Sequence, residues 1–260
     1  MGAALKTIIR VAAIGECMIE LRHIGATQLE LAFGGDTFNT SAYLARVGGA
    51  RIHVDYATAL GDDPYSEAMR ETFQREGVGT DLVATLPGRL PGLYAIRVDA
   101  KGERSFFYWR REAAARSMLE GEAGDRLARA LGAQDWIYFS GITLSILAEE
   151  SRERLFAILD AARRTGTKVA FDTNFRARGW PDLDAARATM SRALRHADLA
   201  LPTFPDEAAL FGDDDPDATI ARMAALGVPE IVVKDGSAPV RIESTTGSWR
   251  VDCPAVTRIV

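Results

Sequence analysis

Apolar residues recur along the chain with two periods. From Ile8 to Ile14 nearly every position but Arg10 is apolar, and the run ends at Gly15-Glu16, which predicts a strand buried on both faces. Met18 to Ile24 and Gln28 to Phe33 are short and mixed in polarity, as strands of an exposed sheet are. After Gly34-Gly35 the period changes. Phe38, Ala42, Ala45 and Val47 fit one helix face, with Asp36 as the expected N-cap and Gly48-Gly49 as the stop. His53 to Leu60 reads as a strand. The turn Gly61-Asp62-Asp63-Pro64 then leads into a helix from Tyr65 to Glu76, with Pro at its start. Leu93 to Asp99 and Glu103 to Trp109 are rich in β-formers and flank Ala100-Lys101-Gly102, a hairpin turn.

From Glu120 onward helix and strand alternate. Helix 122–131 leads to strand 136–140, helix 148–165 to strand 168–172, helix 183–196 to strand 199–201, and helix 216–226 to strand 230–234. Val240 to Val251 reads as two antiparallel strands around Thr246-Gly247. Such alternation implies βαβ units, a mostly parallel sheet and helices on both of its faces. The expected architecture is one α/β domain over residues 1–260, with a small β element assembled from two pieces, about 16–33 and 92–110. A flap built that way can close over a site at the carboxyl ends of the strands, where open α/β sheets bind ligands.

Composition narrows the function classes. The net charge of −5 comes from interleaved acids and bases, which argues against a broad nucleic-acid surface. No apolar run approaches the ~20 residues of a membrane span. The start, MGAALKTIIRVAAIGE, is broken by Lys6 and Arg10 and does not read as a signal peptide, and Lys6 stands where a myristoylation signal needs Ser or Thr. Cys17 and Cys253 are distant in sequence, as in a reduced cytoplasmic protein, and the three histidines show no zinc-ligand spacing.

Five stretches carry candidate chemistry. Gly34-Gly35 opening a helix offers backbone N–H groups and close approach, and Asp36 and Asn39 add polar side chains one turn apart. Without a lysine this suits a polyhydroxylated ligand better than a phosphate. Tyr94 and the run Tyr108-Trp109-Arg110-Arg111 make an aromatic, cationic edge suited to an acidic sugar, although aromatics are also favoured on any small sheet. Asp172-Thr173-Asn174-Phe175-Arg176 follows a strand; Arg176 can meet a transferring phosphoryl group or a carboxylate, whereas Arg178 reads as a solvated loop charge. Asp206-Glu207 can hold a hydrated Mg²⁺ or simply form an acidic first helical turn. At another strand end, Lys234-Asp235-Gly236-Ser237 can line a nucleotide. Neither a Gly-x-x-x-x-Gly-Lys-Ser/Thr loop nor a Gly-x-Gly-x-x-Gly turn after the first strand is present.

These pieces, in this order, resemble the ribokinase-like (PfkB) carbohydrate kinases. The residues that carry the likeness are Gly15 to Glu20, Gly-Gly-Asp-x-x-Asn at 34–39, Leu90-Pro91-Gly92-Leu93-Tyr94 and Gly102-Glu103-Arg104. Tyr108-Trp109-Arg110, Ser140-Gly141-Ile142, Asp172-x-Asn174-x-Arg176 and Val232-Val233-Lys234-x-Gly236 complete them. The Leu-Pro-Gly-Leu-Tyr and Tyr-Trp-Arg runs point to the ketodeoxygluconate branch. The resemblance implies a three-layer ribokinase-like sandwich with a β-sheet lid, and ATP-dependent phosphorylation of 2-keto-3-deoxygluconate to its 6-phosphate. It implies that Gly34, Gly35, Asp36, Asn39, Tyr94, Tyr108, Arg110 and Arg176 contact substrate. Asn174 and Arg176 would lie near the phosphates and Lys234, Gly236 and Ser237 near the nucleotide, with Mg²⁺ as companion cation and Arg176 in a catalytic role. A homo-oligomer formed through the lid is a further expectation.

Two departures stand out. Phe204 occupies the position, three before the metal-linked Glu207, where the family usually has Asn. The family's glycine-rich Asp-Thr-x-Gly-Ala-Gly-Asp run, carrying the anion hole and catalytic base, is absent from a chain that stops at Val260, about where the run should begin. On this reading the C-terminal part of the fold is missing, and the 260 residues alone are expected to be nearly inactive. The competing readings are a non-catalytic sugar-acid binding protein of the same fold, and another sugar or nucleoside kinase of the family.

Overall fold

The computed structural model describes residues 8–99 and 103–254. In chain order the elements are β1 (Ile9–Ile14), β2 (Met18–His23), β3 (Leu29–Gly34), α1 (Asp36–Gly48), β4 (Ile52–Leu60), α2 (Pro64–Arg75), β5 (Val78–Gly79), β6 (Val83–Thr85), β7 (Leu93–Val98), β8 (Arg104–Trp109), α3 (Gly121–Leu131), β9 (Trp136–Ser140), α4 (Gly141–Ile146) and α5 (Glu149–Arg164). They continue with β10 (Lys168–Asp172), α6 (Leu183–His196), β11 (Leu199–Ala200), α7 (Phe204–Phe211), α8 (Pro216–Ala225), β12 (Glu230–Asp235), β13 (Ala238–Ser244) and β14 (Gly247–Val251). The chain divides into two compact units, Met1–Phe139 with Ile146–Thr167, and Ser140–Ser145 with Lys168–Val260.

In the first unit β9, β1, β4 and β5 run side by side and parallel, and β6 also pairs with β4. The apolar runs behave as expected. Val11 to Ile14 and Val54 to Leu60 are buried throughout, because helices cover a parallel sheet. Phe38 of α1, Tyr56 of β4 and Phe73 of α2 meet at ring-centroid distances of 4.7, 5.1 and 5.8 Å, which locks both helices onto β4. Asp63 caps α2, accepting from the N–H groups of Tyr65 and Ser66, with Pro64 opening the helix.

The same unit carries a separate four-stranded sheet in the order β3-β2-β7-β8. β2 pairs antiparallel with β3 and parallel with β7, and β7 pairs antiparallel with β8. Its two strand pairs come from the two separated stretches that sequence marked out. The expected turn at Ala100-Lys101-Gly102 lies outside the described residues. Register sorts the side chains onto two faces. Phe33, Ile19, Leu93 and Trp109 form one row, and Leu31, Leu21, Ala95 and Phe107 the next row on the same face. Glu20, Tyr94 and Tyr108 share the opposite face.

In the second unit β10, β11 and β12 are parallel, and β12, β13 and β14 continue antiparallel. α6 packs on β10 and α8 on β12. Three expectations are corrected. α1 is capped by Gly35, and Asp36 is its first residue, without a side-chain cap. The helices α4 and α7 and the short strands β5 and β6 were not anticipated. β12 runs on to Asp235 and pairs it with Ala238, so Gly236 and Ser237 form the two-residue turn of a hairpin, with Gly236 at φ +55°.

Candidate functional site

The glycine turn and the small sheet converge within the first unit. Glycine is required at Gly35 because a Cβ there would lie 2.1 Å from the Glu16 carbonyl oxygen. At Gly34 a Cβ would lie 2.8 Å from the Tyr94 hydroxyl and 3.3 Å from the Glu20 carboxylate. The close approach that these glycines allow is thus made by the protein's own chain. This also explains the shifted cap, since the turn is pinned over the β1–β2 connection. Gly35→Ala is expected to cost about 1–3 kcal/mol, as overpacking does, because the obstructing atom is backbone. Thermal melts of the variant check this; an unchanged midpoint would mean that the turn has slack.

Around this turn the Tyr94 hydroxyl donates to Glu20. Burial, helped by that bond, holds the Tyr94 phenol well above its ordinary pKa, so it stays a neutral donor. The rings of Tyr94 and Tyr108 lie 5.9 Å apart, with Phe106 at 6.3 and 6.5 Å from them, forming an aromatic strip on one face of the sheet. Arg110 continues that strip. Its guanidinium lies 5.9 Å from the Tyr108 ring centroid and donates to the carboxylate of Glu16. The Glu16 side chain is 1% exposed and that of Arg110 21%. Burial pushes the Glu16 carboxyl up, with Arg110 pulling the other way. Asn39 is exposed one turn into α1, and Asp36 is half-buried at its start.

Glu16, Glu20 and Phe106 had no role assigned from sequence. Phe106 shares its face with Tyr108 by the two-residue period of a strand, a signal that was available. The partnership of Glu20 with Tyr94 spans 74 residues and requires the β2–β7 register.

A cavity of about 700 Å³ is lined by Ile19, Leu93 and Trp109 of the opposite face together with Tyr65, Leu90, Tyr108 and Arg110, so it reaches the end of the aromatic strip. Trp109 is 62% exposed, and Leu31 and Phe107 are also open.

The second unit gathers its candidates at the carboxyl ends of β10, β11 and β12. Asn174, just past β10, holds a left-handed backbone (φ +32°), uncommon for a residue other than glycine. Arg176 donates to both oxygens of Asp206, at 3.1 and 2.9 Å, and to the Phe175 carbonyl. The Arg176 side chain is 57% exposed, so this pair is worth only about 0–1 kcal/mol and yields easily to another anion. Lys234, the residue before the end of β12, donates its backbone N–H to the Pro202 carbonyl at 2.9 Å and places Nζ 3.1 Å from Asp172. Gly236 and Ser237 are exposed in the hairpin turn that follows. Two cations at three adjacent strand ends form a surface able to receive phosphate.

Glu207 is placed differently. It is fully buried, and its carboxylate accepts from Arg222 at 2.7 Å. Arg222 also binds Asp213 and lies 3.7 Å above the Phe211 ring. Among the described residues no group of three or more His, Cys, Asp or Glu could hold a metal ion. The carboxylate of Glu207 already faces one cation, that of Arg222.

Residues 9–260 match the family described as pfkB family carbohydrate kinase. The chain is 44% identical over 247 residues to the 2-dehydro-3-deoxygluconokinase of Dickeya dadantii (strain 3937), an alignment spanning 95% of this chain and 79% of that protein. It is 39% identical over 228 residues to the enzyme of the same name from Haemophilus influenzae, covering 87% and 73%. In fold it is similar to a PfkB protein from Polaromonas sp. JS666, with a TM-score of 0.85, 22% identity and coverage of 96% and 84%. It is also similar to a fructokinase with bound ATP from Xylella fastidiosa, with a TM-score of 0.79, 23% identity and coverage of 95% and 75%.

Proposed function

The chain belongs to the pfkB family of carbohydrate kinases, and we propose that within it the reaction is ATP-dependent phosphorylation of a sugar acid, 2-keto-3-deoxygluconate, to its 6-phosphate. The observation that carries the substrate is Arg110 at the end of the Tyr94–Tyr108 strip: a fixed cation beside aromatic faces suits a sugar bearing a carboxylate. The relatives named 2-dehydro-3-deoxygluconokinase, at 44% and 39% identity, support the same choice.

Gly34, Gly35, Asp36, Asn39, Tyr94, Tyr108 and Arg110 would hold the sugar, the tyrosines giving ring faces and the Tyr94 hydroxyl. Arg176 would leave its exposed partner Asp206 for the transferring phosphoryl group, since phosphoryl transfer is mostly positioning and charge stabilisation. Asn174, Lys234, Gly236 and Ser237 would line the ATP. Their positions at strand ends and an exposed hairpin turn fit a nucleotide. Mg²⁺ keeps most of its waters and is commonly held by substrate phosphates, so it would arrive with ATP. Glu207 contributes no ligand in this scheme. Cys17 and Cys253 are free thiols, in keeping with a reducing cytoplasm. The open apolar face of the small sheet, with Leu31, Phe107 and Trp109, would bury itself against a second copy, and sedimentation at several concentrations should show a dimer or larger.

The deciding experiment is calorimetry with 2-keto-3-deoxygluconate and with fructose, each with and without ATP, alongside coupled ADP release. Tight binding of the acid is expected, and any turnover should favour the acid over fructose. Preference for fructose would sink the substrate assignment, and acid binding without turnover would favour a non-catalytic sugar-acid binder.

A further inference from the structure

Glu16 is an expensive residue for its place. Its side chain is 1% exposed, one of its oxygens has no hydrogen-bond partner, and Nε of Arg110 is likewise buried without one. A pair kept only for packing would do better as two apolar residues. The surrounding chain has nevertheless been cleared for it. A Cβ at Gly92 would meet a Glu16 carboxylate oxygen at 2.5 Å and the Arg110 Cβ at 3.2 Å. The Glu16 main chain at the same time sets the Gly35 turn. One residue therefore touches both the turn that opens α1 and the cation at the end of the aromatic strip. The contact to Arg110 is also one-sided: a single terminal nitrogen, Nη2, is engaged rather than the bidentate fork that the two groups could form.

We infer that Glu16 is a positioning residue, whose buried carboxylate fixes the Arg110 guanidinium by one nitrogen so that the part of it left exposed faces the carboxylate of the bound sugar acid. The inference rests on the substrate reading above. It differs from a charge-balancing role, in which Glu16 would merely offset the charge of Arg110 and weaken its pull on an acid.

Two mild substitutions separate these roles. Glu16→Asp keeps the charge and shortens the reach. Glu16→Gln keeps the reach and an acceptor oxygen and removes the charge. If position matters, Glu16→Asp loses about 10- to 100-fold in affinity for 2-keto-3-deoxygluconate by calorimetry, the scale of a misplacement near 1 Å, while Glu16→Gln stays within about threefold of wild type. Affinity for fructose should change little in either. The reverse order, with Glu16→Asp unchanged and Glu16→Gln binding the acid more tightly, would overturn positioning in favour of charge balance. An equal loss for both sugars in Glu16→Asp would also overturn it, as general damage to the pocket. Phenylglyoxal labelling of Arg110, followed by peptide mass mapping, reads the restraint without any sugar. Labelling should be slow in wild type and Glu16→Gln and faster in Glu16→Asp, and equal rates in all three would mean that Glu16 does not hold Arg110. If wild type binds fructose and not the acid, the substrate reading fails, whereas the hold on Arg110 is still judged by the labelling rates.

Discussion

Arg110→Ala should weaken binding of 2-keto-3-deoxygluconate by roughly 10- to 150-fold, the equivalent of about 1.5–3 kcal/mol for a lost charge-assisted hydrogen bond. The same change should destabilise the fold, because it strands Glu16 as a buried carboxylate whose partner has gone. Breaking such a pair costs about 3–5 kcal/mol when both groups are fully buried, and the partial exposure of Arg110 places this case near the lower end. The pH dependence has a definite sign. Burial holds the Glu16 carboxyl above its ordinary value of 4.5, and losing Arg110 raises it further. A carboxyl raised in the folded state contributes stability fully below its unfolded value and loses that contribution as pH rises through the folded one. The deficit of the variant should therefore be largest near pH 8 and shrink towards pH 5. Urea denaturation at the two pH values measures the stability, and calorimetry measures the binding. Replacing both Arg110 and Glu16 by Met should return most of the stability and none of the acid affinity. Unchanged acid affinity in Arg110→Ala would make Arg110 a rim charge and remove the main support for an anionic substrate.

Much of the fold was legible because its strands and helices have distinct periods. Lys168–Asp172 and Leu183–His196 fall where the apolar pattern put them, since each packs its stripe as an ordinary sheet or helix does. The misses have local causes. α7 is eight residues long and starts at Phe204-Pro205, too short to display a helical stripe. Gly35 displaced Asp36 as cap because a tertiary contact with the Glu16 carbonyl fixes the turn, and no capping rule contains that contact. The site divides in the same way. Tyr94, Tyr108 and Arg110 were visible as residue types at strand ends. Their partners Glu20 and Glu16 lie 74 and 94 residues away and come into view only through the pairing of β2 with β7. The role of Glu207 was the least legible, because a carboxylate in a first helical turn looks the same whether it faces a cation in solvent or a half-buried arginine.

That arginine, Arg222, supports the second large effect. It donates to Glu207 at 2.7 Å and to Asp213 at 2.7 and 3.0 Å while lying over Phe211, so it joins α7, the loop after it and α8. Glu207 is fully buried and Arg222 is 22% exposed. Arg222→Ala should cost about 3–5 kcal/mol near pH 8, because Glu207 is left charged and without its cation. The two carboxylates differ in sign. Burial holds Glu207 above its ordinary 4.5, so its contribution is complete below that value and falls as pH rises through the folded one. Burial also works against the charge of Asp213, but hydrogen bonds from Arg222 and Thr219 hold it below its ordinary 3.8. The contribution of Asp213 is therefore present above 3.8 and lost as pH falls through its lowered value. Removing Arg222 raises both carboxyls, so the gap between variant and wild type should narrow from pH 8 to pH 5. Chemical denaturation at these two pH values measures the gap. A Glu207→Gln variant supplies the control, since its amide keeps an acceptor for Arg222 and removes the buried charge. If Glu207 only partners Arg222, this variant should retain kinase activity at every Mg²⁺ concentration. A raised Mg²⁺ requirement in Glu207→Gln would instead make Glu207 part of the metal site, despite the arginine that faces it.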